Sequence, residues 1–286
     1  MGLSFYLGQP FAQHALLAAF LVALTCGLIG PFVVTRGMAF AVHGTAELAF
    51  TGAAAGLLVG NNPVAGALVG SLVVATMIGL LGARPRERDS AIGVILGFGL
   101  GMGVLLLSYY HGFATAATNI LFGNIFGVSG NQLTVLVVIG ILVVAVMATW
   151  YRPLLFASVD PEVAEARGVP VRRLGLVFLV VLALTVTGAA QVVGTLLVLS
   201  LAITPAAAAQ RLSASPLAVA VLSIVFAVLA ADGGLVASFE SSNIKASVFV
   251  TTFSFAIYVV ARVAGPLVRG RRTPIRHRAT AGSSSP

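Results

Sequence analysis

The sequence predicts an all-α polytopic membrane protein: a bundle of eight or nine transmembrane helices, one of them short or broken, with a short cytoplasmic coupling region. Three observations predict it. Of 286 residues, 59% are hydrophobic and only 8% charged, against about 25% charged in a soluble domain. Mean hydropathy is +1.06. The apolar residues stand in runs long enough to cross a bilayer as helices, about 18–25 residues each. They do not form the roughly ten-residue alternating segments of a membrane barrel.

Taken in order, the runs are 11–35, 38–60, 63–83, 91–110 and 133–151, then 174–190, 192–209, 217–231 and 247–268. The seventh is rich in small residues and holds Pro205, which marks it as the short or broken one. The first run is long enough to span, and Met1–Gln9 lacks a basic leader, so it reads as a retained helix and not as a cleaved signal. Residues 1–270 read as a single transmembrane domain and 271–286 as a basic, disordered cytoplasmic tail ending in Ala-Gly-Ser-Ser-Ser-Pro.

The net charge of +8 comes from arginines gathered in alternate connections, so it calls for a membrane surface and not for nucleic acid. Arg84, Arg86 and Arg88 follow the third run; Arg152, Arg167, Arg172 and Arg173 follow the fifth; Arg211 follows the seventh; and Arg269, Arg271, Arg272, Arg276 and Arg278 follow the last. The intervening connections hold one basic residue, Lys245. With nine spans the positive-inside rule places the N-terminus outside and the C-terminus in the cytoplasm. The lone Cys26 can form neither a disulfide nor a thiolate metal site within one chain and reads as a small packing residue.

The interval 158–173 holds a local helix signature. Asp160 suits the N-cap, Pro161 the first helical position, and Gly168 the C-terminal stop. The spacings Gly52/Gly56, Gly66/Gly70 and Gly93/Gly97/Gly101 permit close helix approach in lipid and serve packing.

Two ionisable residues in the second run need a reason. His43 and Glu47 are four apart, hence one turn above each other on one helix face. An ionisable group at the centre of a membrane helix costs about 2.5–3.5 kcal/mol on insertion scales. Imidazole plus carboxylate suits a transition metal better than calcium or magnesium, which favour oxygen alone. Two ligands are too few for a closed zinc site, which takes four, and suit a transient site on a permeation path. The alternative is an intramembrane polar contact with a neighbouring helix. His14 near the outer end of the first run and His111 in an outer loop read as interfacial residues or as a metal-handling vestibule, and Asp232 and Glu240, both in the last outer connection, as solvated groups or a docking face. Gln191 and Gln210 flank the broken seventh run and could bond its loosened backbone. There is no Gly-x-x-x-x-Gly-Lys-[Ser/Thr] run and Lys245 is the single lysine, so the chain holds no P-loop for ATP.

Five blocks in order resemble the membrane permease subunit of metal-type ABC importers, the zinc, manganese and iron class. They are Gly30-Pro31-Phe32-Val33-Val34-Thr35-Arg36-Gly37-Met38-Ala39-Phe40 with the His43/Glu47 stretch; Ala91-Ile92-Gly93-Val94-Ile95; Leu121-Phe122-Gly123-Asn124-Ile125; Asp160 to Val169; and Val193-Gly194-Thr195 through Pro205-Ala206-Ala207-Ala208-Ala209. The family's pore helix has an aspartate and then a histidine four residues on. Here the order is reversed and the acid is Glu47.

The resemblance implies a bacterial plasma-membrane permease that hydrolyses no ATP itself. Its partners would be ABC ATPase subunits, an extracytoplasmic metal-binding protein and a second copy of the chain. No cofactor would be permanently bound, and zinc, manganese or iron would be the cargo. It implies His43 and Glu47 as metal ligands in transit. Pro205, Ala206, Ala209, Gln210 and Arg211, with Glu162, Arg167 and Gly168, would couple to the ATPase. A siderophore- or cobalamin-type ABC permease, or an ion-coupled secondary transporter using Glu47 as a relay, is the alternative reading.

Overall fold

The computed structural model describes residues 9–60, 62–80, 85–110, 115–195, 197–240 and 244–270. Among them are eleven α-helices and no strand: α1 Pro10–Thr35, α2 Ala39–Gly60, α3 Pro63–Leu80, α4 Pro85–Ser108, α5 Thr115–Phe122, α6 Gly130–Val159, α7 Pro161–Ala166, α8 Val171–Val193, α9 Val198–Leu212, α10 Pro216–Ser238 and α11 Ala246–Gly270. A 3-10 turn, Ile125–Gly127, follows α5. Eight helices are long and apolar enough to cross a membrane; α9, with 15 residues, is the short apolar one. At 1.5 Å per residue it is about 22 Å long, short of a hydrocarbon core of about 30 Å.

Contacts sort the helix ends into two sets. At one end Arg36 donates to Ser158 of α6, Gln210 of α9 donates to Thr35, and the Tyr151 hydroxyl donates to the Pro216 carbonyl of α10. At the other, Phe126 packs on Phe11 and Phe239, and the Thr195 N–H donates to the Ile120 carbonyl of α5. The segment leading into α9 lies at the second end and α9 finishes at the first. Short as it is, α9 therefore makes a ninth passage between the ends, and the broken span expected at 192–209 is the stretch from Gly194 to Leu212. The sixth and seventh predicted runs shift accordingly: α8 continues to Val193, and the break falls at Gly194 (φ +92), not at Pro205, which sits inside α9.

Local chemistry sets the other boundaries. Ser129 and Gln132 form a reciprocal capping box at the start of α6. That helix runs through Pro153 to Val159, eight residues past the apolar run, and ends where Asp160 caps α7 by accepting from the Val163 N–H. The terminations of α1 and α7 share one design. Gly37 (φ +62) and Gly168 (φ +81) follow an arginine C-cap, and each turn has the paired bonds of a Schellman motif: Gly37 N–H to Val34 O with Met38 N–H to Val33 O, and Gly168 N–H to Glu165 O with Val169 N–H to Ala164 O.

Because lipid tails are as apolar as leucine, the helices hold by close packing and hydrogen bonds rather than by burial from water. Gly52 and Gly56 on α2 meet Gly66 and Gly70 on α3 so closely that a Cβ on Gly52 would land on the Gly66 carbonyl. The third glycine run behaves differently. Gly93, Gly97 and Gly101 have nothing within 4 Å, because α4 turns its other side, Gly99 and Gly103, onto Leu48, Phe50 and Thr51 of α2. A buried Ser71–Thr187 hydrogen bond of 2.7 Å joins α3 to α8. Cys26 is fully buried in the core to which Ile29, Phe32 and Phe178 also belong. Arg84, His111 and the tail 271–286 lie outside the described residues.

Candidate functional site

α2 is a central helix, packed against α3, α4, α8 and α9 and touching α1. Its course begins at the Schellman turn through Gly37, which places His43 one turn inside the helix and Glu47 a turn further. Glu47 is 3% exposed and His43 half-buried. The next residue on that face, Thr51, donates to the Gly99 carbonyl of α4 at 2.5 Å and to the Glu47 carbonyl at 3.0 Å. At Thr51 this face lies against α4.

The pair is within electrostatic reach of one another, yet Glu47 Oε2 and His43 Nδ1 are buried and have no hydrogen-bond partner among the described residues. Among the described residues, no neighbouring helix gives these two atoms a hydrogen bond. Buried polar atoms without a partner are rare in folded proteins and call for an explanation. Among the described residues no three His, Cys, Asp or Glu side chains come together, so one chain offers two such groups at this place and not a closed site.

Further out along α2, a cavity of about 250 Å³ opens over Ala49 and Ala53. Asn119, Asn124, Gln132, Thr187, Gln191 and Thr195 are its polar lining residues. Gln191 Oε1 and Thr195 Oγ1 are buried there without partners among the described residues. Neither His43 nor Glu47 lines it. Sequence pattern singles out Gln191 but not Thr187 or Thr195; their signal is polar residues on both sides of a broken span.

Most of the other candidates lie elsewhere. His14 is half-buried near the start of α1 and Glu240 is exposed; Asp232 is not in the outer connection but half-buried inside α10, which continues to Ser238, and its Oδ1 has no partner among the described residues. Lys245 sits 4.8 Å over the Phe122 ring, joining the start of α11 to α5. Of the candidate coupling residues, Pro205, Ala206 and Ala209 are buried within the chain's own bundle, with Ala206 against Gly30. Gln210 is half-exposed and bonded to Thr35 at 3.3 Å, not to the broken backbone near Gly194. Arg211, Glu162 and Arg167 are exposed at the same end, and Gly168 forms the α7 stop.

Comparison with known proteins agrees with this geometry along nearly the whole chain. The model of the ABC 3 transport family matches residues 8–265. The chain is 32% identical over 254 residues to the manganese transport system membrane protein MntC of Halalkalibacterium halodurans, covering 88% of this chain and 87% of that one. It is 28% identical over 254 residues to the high-affinity zinc uptake system membrane protein ZnuB of Haemophilus influenzae, covering 87% and 96%. The solved structure of PsaBC from Streptococcus pneumoniae in complex with Fab has a chain that superposes with a TM-score of 0.83 at 28% identity, covering 93% of this chain and 95% of that one. With nine passages, a short ninth helix and a match that begins before α1 and ends inside α11, this chain belongs to the ABC 3 transport family.

Proposed function

We propose that the chain is the membrane permease subunit of an ATP-driven importer for manganese or zinc. One observation carries the reading beyond family membership: the open carboxylate and imidazole of Glu47 and His43 on a helix at the centre of the bundle. Harder cations that prefer oxygen alone gain little from an imidazole, whereas manganese and zinc accept mixed nitrogen and oxygen donors. The names of the relatives support these two metals, and the reading narrows to them from the wider set that included iron.

Glu47 stands eight residues beyond Ala39, about 12 Å along the helix, in the middle third of the bilayer. Two copies of the chain related by a two-fold axis would present four donors, enough to strip part of a metal's water shell and few enough to release it. Separate ATPase subunits would drive alternating access, and an extracytoplasmic binding protein would deliver the ion. Arg36, Arg152, Arg167, Arg172, Arg173 and Arg211 all stand at or near one end, and the connections at the other hold one basic residue, Lys245. The positive-inside rule makes the arginine end cytoplasmic in a bacterial plasma membrane.

The test is uptake of radioactive manganese and zinc in cells stripped of other importers, with the chain expressed beside its ATPase and binding protein. ATP-dependent accumulation of either metal is expected. Accumulation that persists when the ATPase is absent would overturn the reading in favour of an ion-coupled transporter.

A further inference from the structure

The two segments expected to meet the ATPase are far apart in sequence, yet each is tied by a side chain to the same short turn. Gln210, at the end of α9 and just before the α9–α10 connection, donates from Nε2 to Thr35 Oγ1 at 3.3 Å. Ser158, two residues before the N-cap of α7, accepts from Arg36 Nε at 2.7 Å and donates its own proton to the Leu154 carbonyl at 2.5 Å. Arg36 Nη2 reaches that same carbonyl at 3.4 Å, and the guanidinium lies 5.0 Å over the Phe178 ring of α8. Phe32, one turn earlier, packs edge-on against Tyr151, whose hydroxyl donates to Pro216 at the start of α10. Thr35 and Arg36 are thus adjacent residues that gather α6, α8 and α9 at a single point.

Directly beyond that point the chain enters α2. The Schellman turn locks Arg36 to Met38 with two cross-turn bonds, Gly37 supplies the left-handed step, and Met38 and Val33 are buried against the core. Such a turn does not absorb displacement as a loose loop would. A shift of Thr35 and Arg36 moves the base of α2, and with it His43 one turn on.

We propose that the Thr35–Arg36 junction, at which Thr35 takes the α9 segment and Arg36 is the positioning residue for the α6–α7 segment, sets the place of α2, and hence of the His43/Glu47 pair. The proposal rests on the permease reading above for its biological meaning. Its geometry does not depend on which metal is carried. Arginine suits the role because its planar fork can bond Ser158 Oγ and the Leu154 carbonyl while its face lies on an aromatic ring; lysine has one head group to do all three.

The experiment uses the full complex with its ATPase in nanodiscs and measures metal translocated per ATP hydrolysed. In Arg36→Gln this ratio is expected to fall at least fivefold while ATP hydrolysis stays within twofold of wild type. Ser158→Ala, which removes one partner and leaves the turn intact, is expected to fall in the same direction by less, and the double variant to fall no further than Arg36→Gln. A second readout is a spin label at Phe40, the exposed base of α2: its spectrum is expected to respond to nucleotide in wild type and not in Arg36→Gln. Unchanged ratios in both single variants, or equal losses of hydrolysis and transport, would overturn the proposal. If wild type carries no metal but the label responds to nucleotide and loses that response in Arg36→Gln, the junction stands and the cargo assignment falls.

Discussion

Gly123 and Gly194 meet main chain to main chain, each with positive φ (75° and 92°), so that a Cβ on either would land in the other's backbone. The contact fixes the α8–α9 break against the end of α5, and the Thr195–Ile120 backbone bond lies beside it. Left-handed backbone costs a non-glycine residue about 1–2 kcal/mol, and overpacking adds about 1–3 kcal/mol. Gly194→Ala is therefore expected to destabilise the purified protein by at least about 2 kcal/mol. A lowered Tm in thermal unfolding in nanodiscs checks it. Gly97→Ala serves as the contrast, since it meets nothing within 4 Å and has ordinary helical φ; its Tm should not fall.

Removing the charge of Glu47 tests the metal path directly. Glu47→Gln keeps shape and volume, so the fold is expected to survive, while uptake falls by at least about tenfold, the low end of the loss seen even when an outer partner of a metal ligand is removed. Glu47→Asp should retain part of the uptake. Initial uptake rates beside protein yield and size-exclusion profile measure both effects. Wild-type uptake by Glu47→Gln would remove Glu47 from the path.

The Ser71–Thr187 bond is a smaller quantity. Both residues are fully buried and the bond is 2.7 Å, but Ser71 also donates to the Leu68 carbonyl, so a replacement partner is already at hand. Side-chain bonds between membrane helices average about 0.6 kcal/mol. Thr187→Val should cost less than about 1 kcal/mol, read as a Tm change well below that of Gly194→Ala.

Cys26 is fully buried, packed in the core below the helix surfaces. A polar maleimide is expected to leave it unlabelled in the folded protein and to label it after denaturation, as a gel shift would show. Metal uptake after the same treatment should be unchanged. Labelling in the folded state would mean that α1 opens.

The long spans are legible because membrane helices announce themselves by length and hydropathy, and α7 because capping is local: Asp160, Pro161 and Gly168 sit within nine residues of one another. Local pattern leaves the 8-residue α5 inside an outer connection, since its position depends on Gly123 meeting Gly194, 71 residues away. The glycine spacing on α4 suggests a packing face, but the orientation of that helix is decided instead by Leu48, Phe50 and Thr51 across from Gly99 and Gly103. His43 and Glu47 are visible as ionisable residues in an apolar stretch. That their buried atoms have no partner, and that Arg36 finds Ser158 122 residues on, belongs to tertiary structure and leaves no mark in local pattern.

The fifteen-residue α9 also decides a matter of parity. Eight long helices alone would return the chain to the side it started from, and the short one makes the number of crossings odd. Reporters fused before α1 and after α11 are therefore expected in different compartments. Deleting α9 would turn α10 and α11 over, sending the arginine-rich tail to the face that now holds Lys245.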